Sequence, residues 1–287
     1  MITKEEFNQL IACSPLLLDG ATGSNLQKAG MPRGCCTETW ILDHPDALLQ
    51  LQRRYVACGS QVIYAPTFQA QPIALETVGL AEKTETINAQ LVRLSRQAAG
   101  DAALVAGNLT TLAAFTDSFD EKQFDLLVDN YRRQIRGLLD GGADLLAAET
   151  LMYPTEAEAI LTAAELEGAQ TVMYTFTMQP DGSLFSGRDA APILRELENS
   201  GAAAVGFNCV AADEMLPGLV ARLRRYVKGP LVCKPNAGTP VIGTDGIPQY
   251  PMVPEEFGKI MENCRQMGAT ILGGCCGTDP RFIAALK

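Results

Sequence analysis

Short apolar runs alternate with longer amphipathic segments along almost the whole chain. In the segment FDLLVDNYRRQIRGLLDGG, which starts at Phe124, apolar residues recur at helical spacing and Gly141 supplies a stop, so a helix is predicted. Eight apolar runs between such segments have the length of buried strands. They cover residues 16–19, 62–67, 103–108, 144–149, 171–177, 203–209, 230–236 and 269–276. This alternation predicts an α/β fold with a parallel sheet, and eight units favour one (β/α)8 barrel of the TIM type.

A chain of 287 residues lies within the range that such a barrel fills as one domain. No linker or low-complexity tract divides it, so a single domain over residues 1–287 is predicted. The alternative fold is an open, doubly wound sheet. That fold normally carries a GxGxxG motif after its first strand, whereas this chain has DGATGSNLQ there, and the barrel is therefore favoured.

The charge balance limits the partners. Thirty-three acidic and 23 basic residues give a formal net charge of −10, which disfavours nucleic acid and anionic lipid surfaces. The first residues, MITKEEF, are acidic where a secretory signal is basic, and no apolar run approaches the roughly 20 residues that span a bilayer. We therefore expect a soluble, cytoplasmic protein without a nucleic-acid or membrane partner.

The carboxyl ends of the predicted strands are unusually polar. In a (β/α)8 barrel these ends meet at one face, where active sites are built. Any single Asp, Asn or Cys there is also explained by helix capping or packing, but the combination at one face favours a site. The residues concerned are Asp19, Thr67, Asn108, Glu149, Cys209, Asn236, Cys275 and Cys276.

The cysteines at this face predict a metal centre. The nine cysteines are an odd number in a chain without an export signal, which favours free thiols, and the only histidine is His44, expected at the surface or at a helix cap. Strands six and eight are separated by one strand, so Cys209, Cys275 and Cys276 can converge. Three thiolates select zinc or copper(I), zinc being favoured, and three protein ligands leave one position open for substrate.

The other cysteines are assigned to different roles. A second pair of cysteines, in the loop GCCTETW, is a rival metal site. This loop follows no predicted strand that would orient the two side chains, so metal binding there is the less favoured interpretation. Four further cysteines are expected to serve packing. The rival pair is Cys35 and Cys36, and the packing residues are Cys13, Cys58, Cys233 and Cys264.

The motifs DGATGSNLQ, GFNC and GGCCG, in this order and at strand ends, resemble the zinc-dependent homocysteine S-methyltransferase family. The segments WILDHPDALLQLQRRYVACGSQVI, KPNAG and VPEEF are most similar to the homocysteine-binding module at the N-terminus of cobalamin-dependent methionine synthase. The resemblance covers nearly the whole chain. It implies a TIM barrel with one zinc ion that methylates the thiolate of homocysteine to give methionine, an activity of the EC 2.1.1 class.

The resemblance also implies roles for individual residues. Cys209, Cys275 and Cys276 would hold zinc and activate the substrate thiol, without a general base. Asp19, with Gly20 beside it, and Glu149 would bind the substrate ammonium. The substrate carboxylate is expected at backbone N–H groups after the second strand. Because Pro66 lacks one where relatives have a donor, either Thr67 and Phe68 supply the donors or the carboxylate sits slightly differently. Asn236 is either the fourth zinc ligand of the substrate-free protein or a strand-end amide bonded to loop backbone.

The methyl donor is left open by the sequence. The folate-binding and cobalamin-binding modules of a methionine synthase are not among these 287 residues. The favoured donor is a methyl-corrinoid protein that docks at the barrel mouth, and the alternatives are S-methylmethionine, S-adenosylmethionine or betaine. A cationic donor needs aromatic walls, for which Trp40 and Phe68 are the candidates. An alternative from another class is a non-catalytic zinc-binding or redox barrel protein.

Overall fold

The computed structural model describes residues 1–12, 15–112, 121–243 and 247–287. Eight parallel strands form one sheet in the order β1-β10-β7-β6-β5-β4-β3-β2, with a helix after most strands. The predicted (β/α)8 arrangement is confirmed. The strands of this sheet are β1 Leu16–Leu17, β2 Val62–Tyr64, β3 Leu104–Thr110, β4 Leu145–Leu151, β5 Val172–Phe176, β6 Ala204–Ala211, β7 Leu231–Asn236 and β10 Ile271–Leu272.

The helices surround the sheet, and a two-stranded antiparallel hairpin follows β7. The helix α4 illustrates the local rules, since it begins at Pro45, where a missing N–H costs nothing, and ends before Gly59, which takes a left-handed φ of 112°. The helices are α1 Lys4–Ile11, α2 Gly23–Lys28, α3 Thr37–Asp43, α4 Pro45–Cys58, α5 Pro72–Glu76, α6 Thr84–Ala99, α7 Glu121–Asp140, α8 Pro154–Leu166, α9 Ala190–Asn199, α10 Leu216–Arg224, α11 Pro254–Gln266 and α12 Pro280–Ala284, with a 3-10 turn at Ala81–Lys83; the hairpin strands are β8 Val241–Ile242 and β9 Pro248–Gln249.

The seam between β1 and β2 closes differently from the other strand pairs. Among the described residues no continuous ladder joins these two strands. Instead, the Gln61 N–H donates to the Leu17 carbonyl at 2.7 Å, the Leu17 N–H donates to Gln61 Oε1 at 3.0 Å, and the Tyr64 N–H donates to Asp19 Oδ2 at 2.8 Å. A carboxylate of the candidate site therefore also holds the barrel closed.

Two apolar cores stabilise the fold. The larger lies between the sheet and the helices. The smaller fills the barrel interior, where inward-facing residues such as Leu18, Val232 and Ile271 pack together. Phe7 of α1 packs against this core at the end of the barrel opposite the carboxyl ends of the strands. Apolar filling below leaves the carboxyl end of the barrel for polar side chains. No helix in the described parts of the chain is both long and apolar enough to cross a membrane.

Residues outside the predicted site fall largely as expected. Cys233 and Cys264 are fully buried, and Cys58 is half-buried at the end of α4. Cys13 lies outside the described residues. His44 is exposed at the start of α4, where its ring stacks on Trp40 with centroids 4.4 Å apart.

Candidate active site at the carboxyl end of the barrel

Three thiols from two strand ends meet at this face. The Sγ atoms of Cys209, Cys275 and Cys276 all lie within 4.8 Å of one another. The Sγ of Cys209 is 2.9 Å from that of Cys275 and 3.9 Å from that of Cys276. Four-coordinate zinc with bonds of about 2.3 Å separates its sulfur ligands by about 3.8 Å, so a small adjustment of one pair accommodates the ion. Among the described residues, this trio is the one cluster of metal-binding side chains with such spacing.

A bulge in β6 aims Cys209 at its partners. Pairing with β7 shifts register between Asn208 and Ala211, and Cys209 has a φ of 57°, which is unusual for a residue with a side chain. The fully buried Asn208 stabilises this distortion, because its amide oxygen accepts from the Thr150 N–H at 2.7 Å and its amide nitrogen faces Cys275 Sγ at 3.7 Å. Asn208 thus fixes the site although it is not one of the predicted ligands.

The loop after β10 holds the other two thiols. The Cys275 N–H donates to the Pro235 carbonyl at 2.7 Å, and the Cys276 N–H donates to Asn236 Oδ1 at 3.0 Å. Asn236 Nδ2 donates in turn to the Cys209 carbonyl at 3.1 Å. The Asn236 amide therefore bonds to the backbones of two predicted zinc ligands, Cys209 and Cys276. This arrangement corresponds to the second of its two expected roles, a strand-end amide bonded to loop backbone.

The three thiols shift one another's pKa values in opposite directions. Hydrogen bonds from Cys209 and Cys275, with a further one from Tyr250, lower the pKa of Cys276. Hydrogen bonds with Cys275 and Cys276, together with burial, raise the pKa of Cys209 far above that of a free thiol. One thiolate is thus stabilised by neutral neighbours, and three thiolates so close together need a cation among them. A zinc ion meets that need, since coordination displaces the thiol protons.

A cavity of about 300 Å³ opens beside the thiols. Four of the predicted substrate-binding residues line it, namely Asp19, Gly20, Phe68 and Glu149, whereas Thr67 and Asn236 do not. Two other charged residues of the lining, Glu38 and Lys234, were not predicted from the sequence.

Asp19 is buried in the cavity wall and is 1% exposed. Its Oδ2 accepts the Tyr64 N–H at 2.8 Å, and its Oδ1 has no hydrogen-bond partner among the described residues. Burial raises the pKa of Asp19 to about 7, although the positive charge of Lys234 opposes the rise. An unpaired carboxylate oxygen that is withheld from water favours a cationic donor from a ligand.

Glu149 lies across the cavity at a second bulge, between Ala148 and Leu151 of β4. Its Oε1 accepts from the amide of Asn108 at 2.8 Å, and its Oε2 accepts from Lys234 Nζ at 3.2 Å. Burial raises the pKa of Glu149, and Lys234 counteracts that effect. Glu149 therefore has a cationic partner within the protein, which its place at a strand end did not suggest.

Lys234 itself is 3% exposed and points into the barrel from β7. Its ammonium lies 4.8 Å from the centre of the Tyr64 ring. Burial alone lowers the pKa of this lysine, but the charges of Glu149, Cys275 and Asp19 outweigh burial and raise it well above the ordinary value. The sequence did contain a signal, since a lysine inside the strand LVCKPN is rarely buried without a partner.

The loop after β2 uses most of its backbone donors internally. The Thr67 N–H donates to the Ala65 carbonyl at 2.8 Å, and the Gln69 N–H donates to Glu38 Oε1 at 2.9 Å. Within the described residues, the Phe68 N–H has no protein partner. Glu38 is buried and its pKa is raised by that burial, so the wall beside Phe68 contains an acidic group.

The rival cysteine pair is arranged differently. Cys35 is exposed, and its thiol donates to the Pro32 carbonyl at 3.1 Å. The Cys36 thiol faces Glu38 Oε2 at 3.5 Å. Neither thiol belongs to a cluster of three ligands in the described part of the chain.

The family model for homocysteine S-methyltransferase matches residues 16–287. The chain belongs to this family. The homocysteine S-methyltransferase of Escherichia coli is 28% identical over 307 aligned positions that cover 95% of this chain and 94% of that protein. The methionine synthase of Mycobacterium leprae is 26% identical over 282 positions, which are 92% of this chain and 23% of that protein.

A solved member of the family has the same fold. The crystal structure of the Escherichia coli homocysteine methyltransferase MmuM in its metallated form superimposes with a TM-score of 0.83 at 26% identity, covering 97% of both chains. The predicted family and the predicted TIM barrel are thus confirmed. The chain spans about a quarter of the length of the methionine synthases it matches.

Proposed function

We propose that this protein transfers a methyl group to the sulfur of homocysteine and produces methionine, with one zinc ion held by Cys209, Cys275 and Cys276. The observation that carries the proposal is the convergence of these thiols at the floor of a cavity with buried charged groups. A thiol substrate that is also an amino acid matches both parts of this site. Membership of the family supports the same acceptor.

Zinc at this position would supply Lewis acidity that keeps the acceptor sulfur ionised at neutral pH. The protein contributes the geometry. Asn208 and Asn236 hold the backbone around the cysteines, so the thiolates are oriented before substrate enters. Because coordination removes the thiol proton, the residues need not include a general base.

Methyl transfer then needs alignment rather than further activation. The acceptor sulfur forms the new S–CH₃ bond while the bond between methyl and the donor breaks, and that electron pair stays with the donor. Asp19, whose Oδ1 has no partner among the described residues, would hold the acceptor ammonium. Fixing the amino acid beside the thiolates limits the positions that its sulfur can take.

For the donor we infer a methyl-corrinoid protein. The mouth carries exposed apolar residues on the β8–β9 hairpin, where Val241 is 58% and Ile242 63% exposed, and such a surface suits a protein partner. The chain after β9 continues to Tyr250, which packs against Gly277 beside the cysteines. By contrast, Trp40 does not line the cavity, which leaves a sulfonium or betaine donor with fewer aromatic walls.

Zinc content and homocysteine titration test the acceptor half of the proposal. We expect about one zinc per chain and binding that releases a proton, both lost or weakened in Cys209→Ala. Cys35→Ala is the matched control, because it removes an exposed thiol of the rival pair and should leave zinc unchanged. Zinc binding without any response to homocysteine would instead support a non-catalytic zinc or redox protein.

A comparison of donors tests the other half. Zinc-loaded protein with homocysteine is supplied separately with methylcobalamin, S-methylmethionine, S-adenosylmethionine and betaine, and methionine is quantified. Turnover with methylcobalamin alone supports the corrinoid donor. Turnover with a sulfonium compound or with betaine, and none with methylcobalamin, would replace it.

The single domain over residues 1–287 and the cytoplasmic location stay predictions.

A further inference from the structure

The buried ammonium of Lys234 has hydrogen-bonding capacity that the described residues leave unused. A lysine carries three N–H donors, and the hydrogen bond found for this one goes to Glu149 Oε2 at 3.2 Å, with the Tyr64 ring on another side. Lys234 lines the cavity. A donor buried this deeply favours an acceptor from a ligand.

The charges of the cavity are arranged in a sequence. Glu149 and Lys234 form an ion pair, whereas the ion pairs of the described residues do not include one between Lys234 and Asp19. Asp19 therefore keeps its unpartnered Oδ1 for a second cation. A zwitterion has the matching charges, because its ammonium can pair with Asp19 and its carboxylate can pair with Lys234, and both residues line the cavity. The charges then alternate in sign, from the Glu149 carboxylate to the Lys234 ammonium, the ligand carboxylate, the ligand ammonium and the Asp19 carboxylate.

The wall after β2 is a poorer place for a carboxylate. Pro66 has no N–H, and the N–H groups of Thr67 and Gln69 are bonded within the protein. Among the residues that the structure describes, the free donor there is the Phe68 N–H. It lies next to the residue whose N–H binds Glu38, and an anionic Glu38 would repel a substrate carboxylate. A lysine ammonium is a stronger partner for an anion than a single backbone amide.

We propose that Lys234 binds the carboxylate of the acceptor amino acid and selects thiols that carry one. This assignment rests on the proposed function, since it takes homocysteine as the acceptor. It differs from the expectation that the backbone of Thr67 and Phe68 binds that carboxylate. Lys234 touches the substrate at a distance from the reacting sulfur, so its contribution is to affinity and specificity.

Calorimetric titration of the zinc-loaded protein with two thiols tests the assignment. Homocysteine is compared with 3-aminopropanethiol, which has the same thiol and ammonium but no carboxylate. In the wild type we expect homocysteine to bind at least about tenfold more tightly, as a charge-assisted contact predicts. In Lys234→Met the ratio of the two Kd values should fall to within about threefold of unity. The exposed Lys259→Met is the matched control and should keep the wild-type ratio.

The double variant Lys234→Met/Glu149→Gln covers the case in which the single variant does not fold, because it leaves no unpaired buried carboxylate at this position. It should also lose the preference, and Glu149→Gln alone, which retains the lysine, should keep it. If the double variant keeps the wild-type ratio, or if the wild type binds both thiols equally, the role of Lys234 is wrong. A zinc-loaded wild type that binds neither thiol would instead overturn the proposed function.

Discussion

Loss of the Lys234 charge should destabilise the barrel because Glu149 would remain buried without its partner. The two side chains are 4% and 10% exposed, and Nζ is 3.2 Å from Oε2. At an effective dielectric constant of about 20, their attraction is about 5 kcal/mol. Removing one member of a buried pair typically costs about 3–5 kcal/mol, so Lys234→Met should lower the free energy of unfolding by that amount at pH 8.

The cost should depend on pH with a definite sign. Burial already raises the pKa of Glu149, and loss of Lys234 removes the charge that opposes this rise. A carboxyl group whose folded pKa lies above its unfolded value keeps full stability below the unfolded pKa and loses it as pH rises through the folded pKa. The difference between Lys234→Met and wild type should therefore be small at pH 5 and largest at pH 8.

A double-mutant cycle measured by urea unfolding isolates the pair. Lys234→Met and Glu149→Gln should each be costly, and the double variant should cost about 2–3 kcal/mol less than their sum. The exposed Lys259→Met should stay within about 0.5 kcal/mol of wild type at both pH values. Additive costs, or a cost for Lys234→Met that does not change between pH 5 and pH 8, would refute the reasoning.

Three further predictions concern other parts of the site and its frame. Because Asp19 must be ionised to hold an ammonium and its pKa is raised to about 7, calorimetry from pH 5.5 to 8 should show the affinity for homocysteine rising with pH up to about 7. That rise should be steeper than the rise for 4-mercaptobutanoate, which lacks the ammonium, and equal slopes would contradict this. Gly206→Ala should lower the free energy of unfolding, measured in urea, by about 3 kcal/mol or more, because the added Cβ would lie 2.1 Å from a backbone oxygen of β7. The control Gly218→Ala should not destabilise the protein, because its added Cβ meets nothing within 4 Å. Asn208→Ala should weaken zinc about 10- to 100-fold in a chelator competition by releasing the bulge at Cys209, and an unchanged affinity would exclude that role.

Much of the architecture was predictable because apolar runs mark buried parallel strands directly. The run at 171–177 contains β5, Val172–Phe176, and differs from it only at the ends. The largest difference is at 269–276, where the ladder holds only Ile271–Leu272. Beyond Leu272 the backbone still bonds to its neighbours, since the Gly273 N–H donates to the Cys233 carbonyl and the Gly274 N–H donates to the Asp19 carbonyl, before the turn at residues 276–277. Hydropathy does not mark where the regular strand ends.

The candidate site was predictable only in part, for a physical reason. Convergence of Cys209 with Cys275 and Cys276 follows from their positions at strand ends of one barrel. The pairing of Lys234 with Glu149 joins residues 85 positions apart and depends on which way each side chain points. The bulge that turns Cys209 is a property of pairing between strands, so a single strand's sequence does not reveal it.

The closure of the β1–β2 seam by Asp19 links ligand binding to barrel opening. One oxygen of this carboxylate accepts the Tyr64 N–H, and the other faces no protein donor. A ligand ammonium on the second oxygen would favour the ionised carboxylate, which is the stronger acceptor for the first bond. Amide hydrogen exchange at Tyr64 should then slow when the cavity fills, so that a single backbone proton reports occupancy without any label on the substrate.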